Sequence, residues 1–421
     1  MLKELIKNKF AKETFWSFLT KGVAFLLYFS LNVYLARALR VDEYGAWSFF
    51  YSAFTIILVL SYFGINSSAQ KYVAQYSGTD SLNNVLKSSA KLRLVFSLAF
   101  ALLLFLLHRP LARLIGRPDF AQLFLFSAPL ILFAGFVELI KNIFMGLHRI
   151  KYNFIVSSTE FGLKLLLAVL LLNISFRLTS VLNSFTVAAV ITSAVGFYLL
   201  YKKFYSKNSS SVGEGFTGEI FRYSLPLFVV GIGFLIATEI DTFMLGLLNT
   251  DRQVGIYAVA KQVTGKLPHI SLAIAMGTMP VFAKLTRENK SELQKMFYFL
   301  LRTNVAIFFS IAAFILLFSR SFIPFIFGAE YMDSVLPLKI LTVYLISTSL
   351  LISFGAFLNY QGLAWRRARN LSFSMVLNVI LNFLLIPRYG ALGAASATAV
   401  AYLPNVILNW MEVRKAFRSY D

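Results

Sequence analysis

The chain reads as an all-α polytopic membrane protein, with twelve transmembrane helices in two six-helix bundles related by a parallel repeat. Three observations predict this. Apolar blocks of about 20 residues, the length that crosses a hydrocarbon core, fill almost all of the 421 residues. The short tethers between them alternate between base-rich and base-poor. Landmarks of the first half return in the second at a spacing of half the chain. Composition agrees, at 58% hydrophobic and 14% charged, with a mean hydropathy of +0.71. Soluble domains carry about 25% charged residues. In lipid the backbone must satisfy its own polar groups, so blocks of this length are helices.

The predicted spans are 15–36, 44–70, 92–107, 121–146, 152–172, 179–201, 223–248, 255–283, 296–318, 335–359, 370–387 and 391–411. The first contains Ala36-Arg37-Ala38, which has the form of a signal-peptide cleavage site. Its apolar stretch is too long for a signal core and further spans follow, so it is a transmembrane helix. Blocks two and eight are the longest and least uniformly apolar, which predicts that each bends or extends beyond the membrane.

Charge sets the orientation. Of 40 Lys and Arg residues, 24 fall in the tethers and tails of one side and 9 in those of the other. The positive-inside rule then places both termini in the cytoplasm. Most of the net charge of +21 is therefore topology and attraction to anionic membrane lipid, not a nucleic-acid surface. The chain has no cysteine, which excludes disulfides and thiolate chemistry.

The polar tether from Lys202 to Glu219 sits at the midpoint. It predicts an N-terminal bundle over 1–203, a cytoplasmic linker over 204–222 and a C-terminal bundle over 223–421. Leu35–Gly45 corresponds to Leu245–Gly255 at a spacing of 210, and Leu114–Asp119 to Ile326–Tyr331 at 212. Six spans per half give both halves one orientation, the parallel repeat found in secondary transporters. A duplicated scaffold without transport would carry the same signature.

Several segments then become recognisable. Leu35-Ala-Arg-Ala-Leu-Arg-Val-Asp-Glu-Tyr-Gly-Ala46 resembles the first outer turn of polysaccharide-biosynthesis membrane proteins, the Wzx-type oligosaccharide-lipid flippases. Tyr62-Phe-Gly-Ile-Asn66, Ser224-Leu-Pro-Leu-Phe228, Ile240-Asp-Thr-Phe-Met-Leu245, Val254-Gly-Ile-Tyr-Ala-Val-Ala260, Met279-Pro-Val-Phe282 and Pro387-Arg-Tyr-Gly-Ala-Leu-Gly-Ala-Ala395 are similar to the same family. The match runs from about residue 12 to 410. The segment Asn173–Thr179 departs from it, because it lacks the glycines of its second-half counterpart. The superfamily also holds multidrug extruders and peptidoglycan-precursor flippases. Resemblance implies a V-shaped pair of bundles working by alternating access. It also implies residence in the plasma membrane, a lipid-linked oligosaccharide as cargo, and a glycan polymerase or other assembly proteins as partners.

With Arg93, at the start of span three, counted among the bases of the preceding tether, seven bases fall inside the spans: Lys21, Lys141, Lys164, Lys261, Lys266, Arg302 and Lys339. A charge at mid-bilayer costs roughly 2.5–3.5 kcal/mol on insertion scales, so it seeks a partner or a wet cavity. Lys339 starts its helix and can snorkel, and Lys141 and Arg302 lie about two turns from the cytoplasmic face. Glu160–Lys164 and Glu138–Lys141 have the spacing of intrahelical pairs, which makes them either structural or part of a binding site. Lys21, Lys261 and Lys266 have no acid three or four positions away. The resemblance places their helices on the central cavity, which makes them the leading candidates for an anion site, with Lys164, Lys141 and Arg302 behind them. Pro268 predicts a bend beside Lys266.

Seven bases against four acids (Glu138, Glu160, Glu239 and Asp241) favour an anionic cargo such as a polyprenyl-phosphate sugar. Glu239 and Asp241 on span seven either couple a Na⁺ or H⁺ gradient to transport or pair with lysines across helices. Two positions apart, they point to different sides, so at most one faces a cavity directly. No cofactor is expected. The chain has no P-loop, H-E-x-x-H, G-x-S-x-G or Cys/His cluster, so it is not read as an enzyme. The rival readings are an ion-coupled drug extruder, a non-transporting scaffold of glycan assembly and, less favoured, a membrane glycosyltransferase.

Overall fold

The computed structural model describes residues 2–174, 178–204, 215–284 and 290–418, and the regular elements within them are helical. Residues 205–214 of the mid-chain tether, 175–177 of the Asn173–Thr179 turn and 285–289 after span eight lie outside the described residues.

Span one is α1 (Leu2–Ala38), and span two divides into α2 (Val41–Tyr62) and α3 (Ile65–Gln75). Spans three to six are α4 (Leu82–Leu114), α5 (Ala121–Gly146), α6 (Ile150–Ile174) and α7 (Leu178–Phe204). Span seven is α8 (Thr217–Leu248), and span eight divides into α9 (Asp251–Thr264) and α10 (Pro268–Lys284). α11 (Lys290–Phe327) and α12 (Val335–Tyr360) follow. α13 (Ala364–Arg418) holds the last two spans as arms that fold back at Gly390, where φ is 52° and ψ −126°. Ten described helices are individually long and apolar enough to cross a membrane. The second arm of α13 and the broken pair α9–α10 bring the crossings to twelve.

Both long blocks break, each for its own reason. Between α2 and α3, Phe63 and Gly64 take left-handed φ values of 47° and 70°. Phe63 is held there between the rings of Phe96 (4.6 Å) and Phe228 (4.4 Å). A Cβ on Gly64 would collide with the α8 backbone at Ser224 and Phe228. Between α9 and α10 the cause is Pro268, which has no N–H to give and disfavours helix at the residue before it.

The repeat is visible in backbone conformation. Gly116 (φ 69°) and Gly328 (φ 115°) each precede a short 3₁₀ turn, Pro118–Phe120 and Ala329–Ser334. His148 (φ 53°) and Gly362 (φ 73°) stand in the corresponding turns after α5 and α12.

The chain forms two compact units: Met1–Ala38 with Phe50–Ile236, and Leu39–Phe49 with Ala237–Asp421. In the first, α1 lies along α6, and α5 packs against α3, α4 and α7. Tyr34 donates to the Val169 carbonyl at 3.4 Å, and the Tyr28 and Phe161 rings meet edge to face. In the second, α12 is central and touches α9, α10, α11 and α13. Phe297, Phe354, Phe357, Val413 and Phe417 form its apolar core near one end.

The point of division differs from the tether at 204–222. It falls inside α8, because the early turns of that helix pack on α3, where Ser68 donates to the Ile220 carbonyl at 2.9 Å. The tip at 39–49 belongs to the second unit. There Gly45 and Gly255, which the repeat aligns, face each other across the tip. A Cβ on Gly45 would overlap the Asp251 carbonyl, and one on Gly255 would overlap that of Val41. With no hydrophobic driving force between helices in lipid, such close backbone approach supplies the dispersion contact that holds them.

Gly45→Ala is expected to destabilise the protein by about 1–3 kcal/mol through overpacking, read as a lowered melting temperature in detergent. Gly162→Ala, at a mid-helix site with nothing within 4 Å of the added methyl, should be neutral or stabilising by up to about 1 kcal/mol.

Candidate functional site: a buried carboxylate and two groups of lysines

In the second unit, α8, α9 and both arms of α13 converge on Asp241. Its Oδ1 accepts from Asn382 Nδ2 at 2.6 Å, and its Oδ2 accepts from Tyr257 OH at 3.0 Å. Thr398 Oγ1 lies 2.8 Å from the same Oδ2 and 2.9 Å from the Ala394 carbonyl. Asn378 Oδ1 accepts from Asn382 at 3.1 Å. The carboxylate is 6% exposed and has no basic partner among the described residues. Three neutral donors do not cancel a full charge in a low-dielectric interior. The oxygens of Asp241, Asn378, Thr398 and Ala394 converge here, and all are hard donors. Asn382 Oδ1 is buried among them without a hydrogen-bond partner.

Glu239, two residues earlier, turns the other way. Its carboxylate lies 3.9 Å from Lys261 Nζ. Lys261 itself is anchored to α8 by donating to the Thr238 carbonyl (2.5 Å) and Thr242 Oγ1 (2.8 Å). Lys266 is exposed in the turn between α9 and α10, within the electrostatic reach of Glu239 and Lys261. The structure thus brings Lys261, Lys266 and Glu239 into one neighbourhood and leaves Asp241 outside it.

The first unit groups different residues. Lys141 Nζ lies 2.5 Å and Lys164 Nζ 2.6 Å from the two oxygens of Glu160, and Lys141 is also 3.5 Å from Glu138. Asn142 donates to Glu138 at 3.2 Å, and both lysines lie over the Phe161 ring, at 5.6 and 5.3 Å. The two intrahelical pairs expected from spacing have fused into one network across α5 and α6. Lys141 and Lys164 are both held by acids. Lys21 is an exposed side chain of α1. Arg302 lies on α11 beside Lys295 and Tyr298, along a shallow cavity of about 440 Å³.

Two features escaped sequence reading. Arg93 was counted among tether bases, yet it is fully buried in α4. Its Nη2 donates to the Ser61 carbonyl at 2.7 Å and its Nε to Ser97 Oγ at 2.8 Å. It thereby satisfies the last turn of α2, where the break leaves carbonyls without helical partners. Gly135 makes room for it, since a Cβ there would fall 2.8 Å from Nε. The neutral partners of Asp241 were also missed. A signal was present: Asn370, Ser374, Asn378 and Asn382 recur every fourth residue, on one helix face.

Comparison with known proteins follows the same lines. Residues 10–286 match the family model described as polysaccharide biosynthesis protein. Over 197 residues, 45% of the chain, it is 32% identical to a probable low-salt glycan biosynthesis flippase, Agl15, of Haloferax volcanii. Over 280 residues, 62% of the chain, it is 24% identical to an uncharacterized membrane protein of Methanocaldococcus jannaschii. These matches span 40% and 64% of the relatives' lengths.

Among solved structures, an inward-facing multidrug resistance MATE family transporter of the MOP superfamily superposes with a TM-score of 0.76. That match is at 16% identity and covers 94% of this chain and 95% of that one. The lipid II flippase MurJ, in an inward closed conformation, gives 0.71 at 16% identity, over 97% and 90% of the two chains. A MOP superfamily transporter from Pyrococcus furiosus gives 0.66 at 16% identity, over 98% and 96%. The fold is therefore that of MOP superfamily transporters. The matched proteins with a stated role are flippases and transporters, not enzymes. With a family model covering more than half its length and many apolar helices, this multi-pass membrane protein belongs to the polysaccharide biosynthesis protein family.

Proposed function

We propose that the protein flips a polyprenyl-(di)phosphate-linked oligosaccharide from the cytoplasmic to the outer leaflet of the plasma membrane, with both termini in the cytoplasm. Family membership and the glycan flippase among its relatives support this reading. So does the excess of bases over acids within the spans. Moving a phosphorylated head group through the bilayer means moving negative charge through a low-dielectric region. Lys21 in the first unit and Lys261 and Lys266 in the second supply compensating positive charge. The prenyl tail stays in lipid throughout.

The observation that carries the mechanism is the separation of charges on α8. Glu239 stands with the lysines, while Asp241 sits apart among neutral donors. Cargo recognition and coupling therefore use different groups. Binding of Na⁺ or H⁺ at Asp241 neutralises a carboxylate that α8, α9 and both arms of α13 share, so it changes how tightly those helices hold together. A ligand that favours one packing over another by a few kcal/mol is enough to shift a two-state carrier. No nucleotide motif is present in the chain, so the gradient is the energy source in this reading. Glu160, by contrast, is given a structural role: it joins α5 to α6 through Lys141 and Lys164.

Combined Lys21→Ala, Lys261→Ala and Lys266→Ala should abolish glycan export in cells while membrane insertion persists; wild-type export by the triple variant would defeat the assignment. Loss of the protein should cause lipid-linked glycan to accumulate. Drug sensitivity without that accumulation would point instead to a multidrug extruder. In proteoliposomes, Asp241→Asn should render flux indifferent to an imposed Na⁺ or H⁺ gradient. Retained gradient dependence would remove Asp241 from the coupling role. Glu160→Gln leaves two buried lysines facing a neutral amide and should cost about 3–5 kcal/mol, seen as a large drop in melting temperature. An unchanged melting temperature would show that the network is not structural.

A further inference from the structure

The polar environment of Asp241 does not stop at its immediate donors. On the first arm of α13, Asn370, Ser374, Asn378 and Asn382 form a single stripe, and each is at most 6% exposed. On the second arm, Thr398, Asn405, Asn409 and Glu412 are equally buried. The arms run antiparallel, and two contacts fix their register. Arg366 donates to Glu412 at 2.7 Å at one end, and Asn378 lies 3.5 Å from Thr398 further in. In that register Asn370 stands level with Asn405 and Asn409. Arg369 closes the same end as Arg366, 3.6 Å from Glu412. The result is a polar seam about 24 Å long, at 1.5 Å rise per residue, from Glu412 to Asp241.

The seam is poorly satisfied. Asn409 donates to Asn405 Oδ1 at 2.5 Å and to its carbonyl at 2.8 Å. Yet Asn370 Nδ2, Ser374 Oγ, Asn382 Oδ1 and Asn409 Oδ1 are buried without a hydrogen-bond partner among the described residues. A buried donor or acceptor left unmade is costly, so native proteins rarely tolerate one. Water molecules, each bridging two or more polar groups, would satisfy four on one line together. Amide and hydroxyl oxygens spaced one helical turn apart also offer successive sites of moderate strength to a small cation. Such a row lets an ion enter and leave without trapping it.

We propose that this seam is a hydrated path along which a small monovalent cation passes between Asp241 and the end of the unit that carries Arg366, Arg369 and Glu412. The proposal rests on the reading of Asp241 as the coupling site, and it adds the route by which the ion reaches or leaves that site. Glu412 marks the mouth. Its carboxylate is held there by Arg366 and Arg369.

The absence of native cysteine makes the test clean. Ser374→Cys and Asn409→Cys place a thiol in the seam from either arm. Leu345→Cys places one at an equally buried apolar site in α12. Ag⁺, a thiol-reactive monovalent cation, is applied to the purified protein in proteoliposomes, and the thiols left are counted by maleimide labelling after unfolding. The seam cysteines should react at least tenfold faster than Leu345→Cys. Rates no faster than that control, at both seam positions, would overturn the path.

The measurement is independent of transport. Rapid reaction in a protein whose flux ignores both gradients would sink the coupling reading alone. A dry seam in a protein whose Asp241→Asn variant loses gradient dependence would sink the path alone.

Discussion

Hydrocarbon offers no partner to a polar group, and this constraint shapes each notable feature of the protein. Where water is absent, a charge must meet an opposite charge, a carbonyl must meet a donor, and a helix that ends inside the bundle must be capped by something the chain itself supplies. Glu160 resolves it by holding two lysines at once. Arg93 resolves it by spending its guanidinium on Ser61 and Ser97 at the broken end of α2. In both cases the solution fixes two helices to each other, so the same contacts that make the charge tolerable also make the bundle rigid.

Asp241 resolves it differently. Its partners are an amide, a phenol and a hydroxyl. None of these carries charge. The first unit thus holds an ion network, and the second holds a carboxylate among neutral donors where four helical segments converge.

Close packing follows from the same medium. Helices in lipid gain nothing by hiding apolar surface from water, so they adhere through contact between backbones and small residues. Gly45 against Asp251 and Gly255 against Val41 form such a contact, and the reciprocity of the two reflects the internal repeat. Gly64 plays the corresponding part against α8. These glycines are fixed by proximity to another backbone. That explains why the first turns of α8 and the tip at 39–49 each pack within the unit opposite to the one their place in the chain suggests.

Much of this was legible in the chain alone. Span number, the breaks in blocks two and eight and the repeat follow from hydropathy, charge bias and spacing, and short motifs resembled the family. These are local or periodic properties, and the bilayer enforces them residue by residue. The spacing of Glu160 and Lys164 likewise announced their pair, because four positions on a helix is a fixed distance. What the tertiary structure alone decided is which charges share a neighbourhood. Lys141 joined Glu160 across helices, Arg93 proved to be a cap rather than a tether base, and Asp241 proved to face asparagines and a threonine that no local rule connects. Hydropathy reports how deep a residue lies, but partner choice depends on helix rotation and crossing, which are set only when all the helices pack together.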